Sequence, residues 1–221
     1  MANGTQPSSV RLVLTLSVAG LFSGLILVGV YLVTRPVILR NQAEALQAAI
    51  FQVLPGTTQT STFVFRDGEL VPFESPDGAL PTEPAVYSGS DEQGELVGYA
   101  IPAEGAGFMD TVKLIYGFDP ARRVIVGMAV LDSRETPGLG DKIITDSEFH
   151  ENFQALVVEP EIEAVKKGKK TADNQVDCIT GATISSEAVV SILNRSTQRW
   201  LPVVSDAPTP TGEVSGNGIS H

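Results

Sequence analysis

The sequence predicts an α+β protein: a single N-terminal transmembrane helix, then a largely antiparallel-sheet domain with packed helices. Three observations carry this. An uncharged apolar run of 22 residues, Leu12–Val33, lies near the N-terminus. Strand-like runs separated by turn residues fill the stretch from Thr57 to about Leu131. A helical apolar period returns after residue 184.

The first element is the span. A helix needs about 20 residues to cross the roughly 30 Å hydrocarbon core of a bilayer. Gly20, Gly24 and Gly29 inside the run would weaken a soluble helix but are common in membrane spans. The run exceeds the roughly 7–15 apolar residues of a signal peptide, and no small-x-small cleavage pattern follows directly. Residues 12–33 therefore read as an uncleaved anchor in the lipid bilayer, preceded by a short segment, 1–11. Arg11 precedes the span while Arg35 and Arg40 follow it, a count leaning slightly against an internal N-terminus. Long domains are translocated largely regardless of charge, so charge sets no side.

Residues 34–56 read as a linker helix, with Leu46, Ile50, Val53 and Leu54 at helical spacing and a stop at Pro55-Gly56. The domain proper is expected over 57–201. Asp67-Gly68 between two apolar runs marks a hairpin. "PAVYSG" and "ELVGYAIPA" form another strand pair, and Asp119-Pro120 joins two more strands, with Val112, Leu114 and Tyr116 alternating. A Pro/Gly-rich loop and a short helix capped by Asp146 or Ser147 come next, followed by a basic exposed turn, "KKGKKTADNQ". The last helix is expected from Ser185 to about Leu201, facing the sheet through Val189, Ile192, Leu193 and Trp200. Residues 202–221 read as a disordered tail.

Composition excludes several functions. After Arg40 the chain carries 12 basic and 26 acidic residues, a net −14 within the overall −11. Such a domain repels phosphate backbones, so it binds no nucleic acid. One cysteine, Cys178, excludes an internal disulfide or a cysteine-ligated cluster. Two histidines, His150 and His221, are too few for a zinc site or a bis-histidine haem. Any redox group must then be organic.

Two stretches carry candidate chemistry. Thr180-Gly181-Ala182-Thr183 sits immediately ahead of the last helix. A helix N-terminus offers unpaired N–H groups and the positive end of the dipole, which suit an anion such as phosphate. Gly181 and Ala182 leave room for a ligand at the backbone, and Thr183, one or two residues before the helix, can turn its hydroxyl to it. A plain N-cap, worth about 1 kcal/mol, is the competing explanation. The second stretch is "ETPGLGDK", Glu135–Lys142, which lacks both the P-loop spacing and the dinucleotide fingerprint. As a plain turn it would join a strand to a helix, yet Leu139 between Gly138 and Gly140 presents an apolar side chain able to pack on a flat ring. Glu135 has no carboxylate or histidine partner at a suggestive spacing, which argues against acid–base hydrolysis. Cys178 reads as a small buried hydrophobe.

Asp177-x-x-Thr180-Gly181-Ala182-Thr183 is similar to the flavinylation motif of FMN-binding domains, Asp-x-x-Ser/Thr-Gly-Ala-Thr/Ser. Glu135-Thr136-Pro137-Gly138-Leu139-Gly140 resembles the loop that lies near the flavin ring in that family. With the anchor and the Leu-Pro-Gly helix end, the chain most resembles the G-type subunits of Rnf electron-transport complexes. C-type subunits of sodium-pumping NADH:quinone reductases share the motif and the anchor. Ser133 stands where the family often has histidine, and Gly107-Phe108-Met109-Asp110 where a Gly-Tyr-x-Gly turn is common; these departures bear on ring contacts.

The resemblance implies FMN held covalently by a phosphoester to Thr183, installed by a separate flavin transferase for which Asp177 marks the motif. It implies that Thr180, Gly181 and Ala182 cradle the phosphate, that Thr136 and Leu139 contact the ring, and that Gly138 and Gly140 shape the loop beside Glu135. It further implies an electron-relay role within an ion-translocating ferredoxin:NAD+ oxidoreductase. The partners would be other membrane and peripheral Rnf subunits, with the FMN domain on the periplasmic, outer face of the cytoplasmic membrane. Two alternatives stand beside this: a C-type component of a quinone reductase, and a cofactor-free membrane-anchored interaction module in which Thr183 only caps a helix.

Overall fold

The computed structural model describes residues 9–74 and 80–205. Its elements in chain order are α1 (Ser9–Val53), β1 (Gln59–Arg66), β2 (Glu69–Pro72), β3 (Ala85–Ser90), β4 (Leu96–Ala106), β5 (Thr111–Asp119), β6 (Val124–Asp132), α2 (Lys142–Thr145), α3 (Ser147–Glu151), β7 (Leu156–Val157), β8 (Glu163–Val165), β9 (Gln175–Asp177) and α4 (Thr183–Ser205). Two compact units divide the chain, 1–44 and 45–221.

The first unit holds most of α1. This helix is long and apolar enough to cross a membrane, and its apolar window has no buried residue. It runs unbroken through Pro36, so the span and the expected linker helix are one element.

The second unit is built on a seven-stranded sheet in the order β2-β1-β3-β4-β5-β6-β7, antiparallel throughout. β1 and β2 form the Asp67-Gly68 hairpin, with Arg66 opposite Glu69. At the β5–β6 turn, Asp119 Oδ1 accepts from the amides of Ala121 and Arg122, at 2.9 and 3.0 Å. A separate parallel pair, β8–β9, leads to the Thr180–Thr183 stretch.

Strand alternation gives the sheet two unlike faces. One face carries large side chains: Val86, Tyr99, Ile101, Val112, Leu114, Tyr116, Phe118 and Ile125, all buried. α4 covers it with Val189, Ile192, Leu193, Trp200, Leu201 and Val204. Tyr116 Oη and Ser196 Oγ, 3.0 Å apart, share a hydrogen bond across that interface, which satisfies a phenol that burial keeps protonated. The opposite face carries small residues, Gly98, Ala100, Gly117, Gly127 and Ala129. The end of α1 lies in this trough through Leu46, Ala49, Ile50, Val53 and Leu54. Where β6 pairs with β5, a register shift between Gly117 and Phe118 puts Val126 and Gly127 on the same side. This bulge keeps Ile125 and Met128 on the large-residue face.

α4 begins two residues earlier and ends four residues later than expected. Pro202 lies inside it, and Val204, buried to 2% exposure, secures the last turn. Residues 202–205 are therefore helix rather than tail. The expectations for residues 1–8 and 206–221 lie outside the described residues. Asp146 caps α3, its Oδ1 accepting from Phe149 N at 3.0 Å.

The trough yields a prediction. A Cβ at Gly117 would run into the Val53 carbonyl oxygen, and one at Gly127 would stand 2.9 Å from Val53 Cα. Gly117→Ala should therefore cost about 1–3 kcal/mol by overpacking against backbone. At Gly20 nothing lies within 4 Å, so alanine there should leave the denaturation midpoint in detergent unchanged.

Candidate functional site

Two turns of the same kind build the site. In Ile179-Thr180-Gly181-Ala182 the Ala182 amide donates to the Ile179 carbonyl at 3.0 Å, with Gly181 at φ +82°. In Thr136-Pro137-Gly138-Leu139 the Leu139 amide donates to the Thr136 carbonyl at 3.1 Å, with Gly138 at φ +77°. A third-position glycine at positive φ is what a type II turn requires, and Pro137 presets the position before it. The sequence thus makes a tight reversal at each loop and strips bulk from its tip.

The first turn delivers the chain into α4. The Ala182 carbonyl accepts from Ser186 N at 3.0 Å, so Ala182 occupies the N-cap and Thr183 is the first helical residue. This corrects the cap explanation: Thr183 stands one position too late to accept from the helix's own amides. Its side chain is exposed, and no protein hydrogen bond reaches it or Thr180 among the described residues. The N–H groups of Thr183, Ile184 and Ser185 precede the first intrahelical bond and carry the positive end of a 23-residue helix. Ser186, fully buried, ties the turn down: its Oγ donates to the Ala182 carbonyl at 2.9 Å and accepts from Ile179 N at 3.1 Å.

Between the two turns lies a cleft of about 390 Å³, within the ordinary range for small-ligand sites. Thr136, Leu139 and Gly140 form one wall, with Gly181, Ala182 and Thr183 opposite. Phe108, Leu139 and Ile184 stand 50–58% exposed at its rim, so the cleft combines an apolar rim with the free amides at the start of α4.

Glu135 lies beneath, 5% exposed. Its Oε1 accepts from the amides of Phe108 and Met109 at 2.8 and 3.0 Å, and its Oε2 from Ser185 Oγ at 2.5 Å. Arg134 adds an exposed ion pair to Asp110, at 3.7 Å, of small energetic weight.

The structure therefore brings Glu135, Thr136, Leu139, Gly140, Gly181, Ala182 and Thr183 around one cleft, with Gly138 and Thr180 in the adjoining turns. Asp177 is placed elsewhere: its Oδ1 accepts from the amides of Lys169 and Lys170, at 3.1 and 3.2 Å. It lines a different depression with Glu148, Glu151 and Lys167. Phe108, Ile184 and Ser185 line the cleft without having been expected there. Phe108 was visible in sequence only as a turn departing from the family pattern, and Ser185 only as a hydroxyl in a first helical turn.

Two measurements check this geometry. Gly181 has open space around it but a left-handed backbone, so Gly181→Ala should lower stability by about 1–2 kcal/mol and Gly181→Asn by less, read by thermal denaturation. Burial, and then the charges of Glu187 and Asp177, push the Cys178 thiol up, so it carries little thiolate near neutral pH. Iodoacetamide should leave the native chain unlabelled and react only once denaturant is added.

Residues 107–198 match the FMN-binding domain family. The G component of the ion-translocating oxidoreductase complex of Methanosarcina acetivorans is 33% identical over 184 residues, 83% of this chain and 90% of that protein. The G component of the Na(+)-translocating ferredoxin:NAD(+) oxidoreductase complex of Acetobacterium woodii is 32% identical over 152 residues, 66% of this chain and 70% of its own length. Among solved structures, Shewanella oneidensis NqrC superposes with a TM-score of 0.61 at 16% identity, over 74% of this chain and 98% of that one. The C component of the Na(+)-translocating NADH-quinone reductase of Parabacteroides distasonis gives 0.56 at 22% identity, over 73% and 93%. The two structural matches establish a shared fold. With 33% identity over 184 residues, nine-tenths of the Methanosarcina acetivorans protein, the chain belongs to the family of G-type subunits of ion-translocating oxidoreductase complexes.

Proposed function

We propose that the chain is the FMN-carrying electron relay of a membrane-bound ion-translocating ferredoxin:NAD+ oxidoreductase of the Rnf type. One observation carries the site assignment. An exposed hydroxyl with no protein hydrogen bond among the described residues, that of Thr183, stands at the head of a long helix whose first amides are free, in an apolar-rimmed cleft. A phosphate monoester fits the helix N-terminus and a flat ring fits the apolar rim, so the residues present suit FMN.

In this reading Thr183 Oγ1 forms the phosphoester. The amides of Thr183, Ile184 and Ser185 donate to the phosphate oxygens, and the helix dipole offsets their charge. Gly181 and Ala182 allow the phosphate to reach the backbone, with Thr180 beside it. Leu139 and Thr136 line the ring end, and Phe108 and Ile184 shield it from water. Bound there, FMN supplies one- and two-electron chemistry, and the protein sets its place and surroundings. A flavin transferase makes the bond, and Asp177, outside the cleft, serves that recognition.

Residues 12–33 anchor the chain in the lipid bilayer, and the domain works on the outer face of the cytoplasmic membrane beside other Rnf subunits. A covalent bond has a physical rationale there, since cofactor lost outside the cytoplasm is not replaced. The C-type quinone-reductase alternative shares the fold, whereas identity over most of the chain favours the G type.

Thr183→Val tests the assignment. Valine replaces an exposed side chain that makes no protein hydrogen bond among the described residues, so stability should change by less than about 0.5 kcal/mol. Flavin fluorescence on a denaturing gel, present for wild type made with the transferase, should disappear. Fluorescence that survives the substitution would place the bond elsewhere.

A further inference from the structure

Glu135 is the one acidic or basic side chain that is buried among the described residues. A buried carboxylate is costly unless donors replace its water, and all three of its partners are donors. They come from separate segments: the turn after β4 supplies Phe108 and Met109, and the first turn of α4 supplies Ser185. Two glycines make room for it. A Cβ at Gly107 would stand 2.5 Å from Oε1, and one at Gly140 2.6 Å from Oε2 and 2.8 Å from Ser185 Oγ. Several positions in three segments are thus committed to one carboxylate that lies outside both apolar cores.

Ser185 follows Thr183 by two residues. At 3.6 residues per turn that is about 200° of rotation, so the two side chains point to opposite sides of the helix. The burial agrees: Ser185 is 3% exposed, while Thr183 faces solvent. Whatever fixes Ser185 from below fixes the outward direction of Thr183.

We propose that Glu135 and Ser185 form a positioning pair that holds the first turn of α4 against the Thr136–Gly140 wall. The pair sets where Thr183 Oγ1 and the three free amides stand relative to the ring end of the cleft. This rests on the assignment of Thr183 as the attachment residue. Neither residue reacts; both act through the backbone they hold.

The test uses the full chain in detergent as wild type, Ser185→Ala, Glu135→Gln and Glu135→Ala, each first examined without flavin by amide hydrogen exchange. Each is then incubated with a flavin transferase and its flavin donor, and the gain of flavin mass is followed. Ser185→Ala should speed exchange of the Ala182 and Ser186 amides, whose hydrogen bonds close the turn and the first helical loop, and slow the initial rate of flavin gain at least tenfold, with the folded fraction unchanged. Glu135→Ala should also expose the Phe108 and Met109 amides to exchange. Glu135→Gln should recover most of the protection and rate, because its amide oxygen still accepts from both backbone N–H groups and its NH2 can donate to Ser185 Oγ. If Glu135→Ala does not fold, Ser185→Ala and Glu135→Gln decide alone. Wild-type exchange and wild-type rate in Ser185→Ala would overturn the pair. Wild type that takes up no flavin would overturn the attachment assignment instead, and the exchange data would still decide whether the pair holds the turn.

Discussion

The carboxylate of Glu135 is the point on which the cleft depends. From the loop leaving β6 its two oxygens reach two other segments, the β4–β5 turn and the start of α4. Each segment is anchored behind by the core. At their tips the hydrogen bonds to Glu135 fix their mutual spacing, and in a low-dielectric setting such bonds hold firmly because an unpaired partner would be costly. The loop residues above it are then free to be small or apolar, as a ligand requires.

The sheet supports this arrangement by being unlike on its two faces. Large residues beneath α4 make an interior in which the helix has one seating, set by Val189, Ile192, Leu193 and Trp200. Trp200 meets Phe65 edge to face at 5.5 Å, which fixes the far end of the same helix. Glycines and alanines on the other face let the end of α1 approach the strands at backbone distance. A rigid scaffold with its exposed chemistry on connecting loops is a common division of labour in proteins.

Local signals were legible in the sequence where local physics decides. Asp67-Gly68 forms its hairpin, Val112, Leu114 and Tyr116 alternate into the core, and Asp146 caps its helix. Leu46, Ile50, Val53 and Leu54 do share a helix face, though pattern alone did not show that the sheet receives it. The cleft was half legible: both loop motifs carry glycines whose positive φ the turns demand. The link from Glu135 to Ser185 crosses 50 residues and obeys no spacing rule, so only the folded chain reveals it. Thr183 looked like a cap because a threonine just before a helix usually is one. Ala182 takes that position instead, giving up a side-chain cap and leaving the threonine hydroxyl outward. α4 runs past Leu201 because burial of Val204 outweighs the intrinsic penalty of Pro202.

The most direct measurement is peptide mapping by mass spectrometry of the chain isolated with its native flavin transferase present. Trypsin should release the peptide from Thr171 to Arg195, which holds Thr180, Thr183, Ser185 and Ser186 together. The account predicts that this peptide carries the mass of FMN less one water, and that fragmentation confines it to Thr183. An unmodified peptide, or a flavin mass assigned to Thr180, would contradict it.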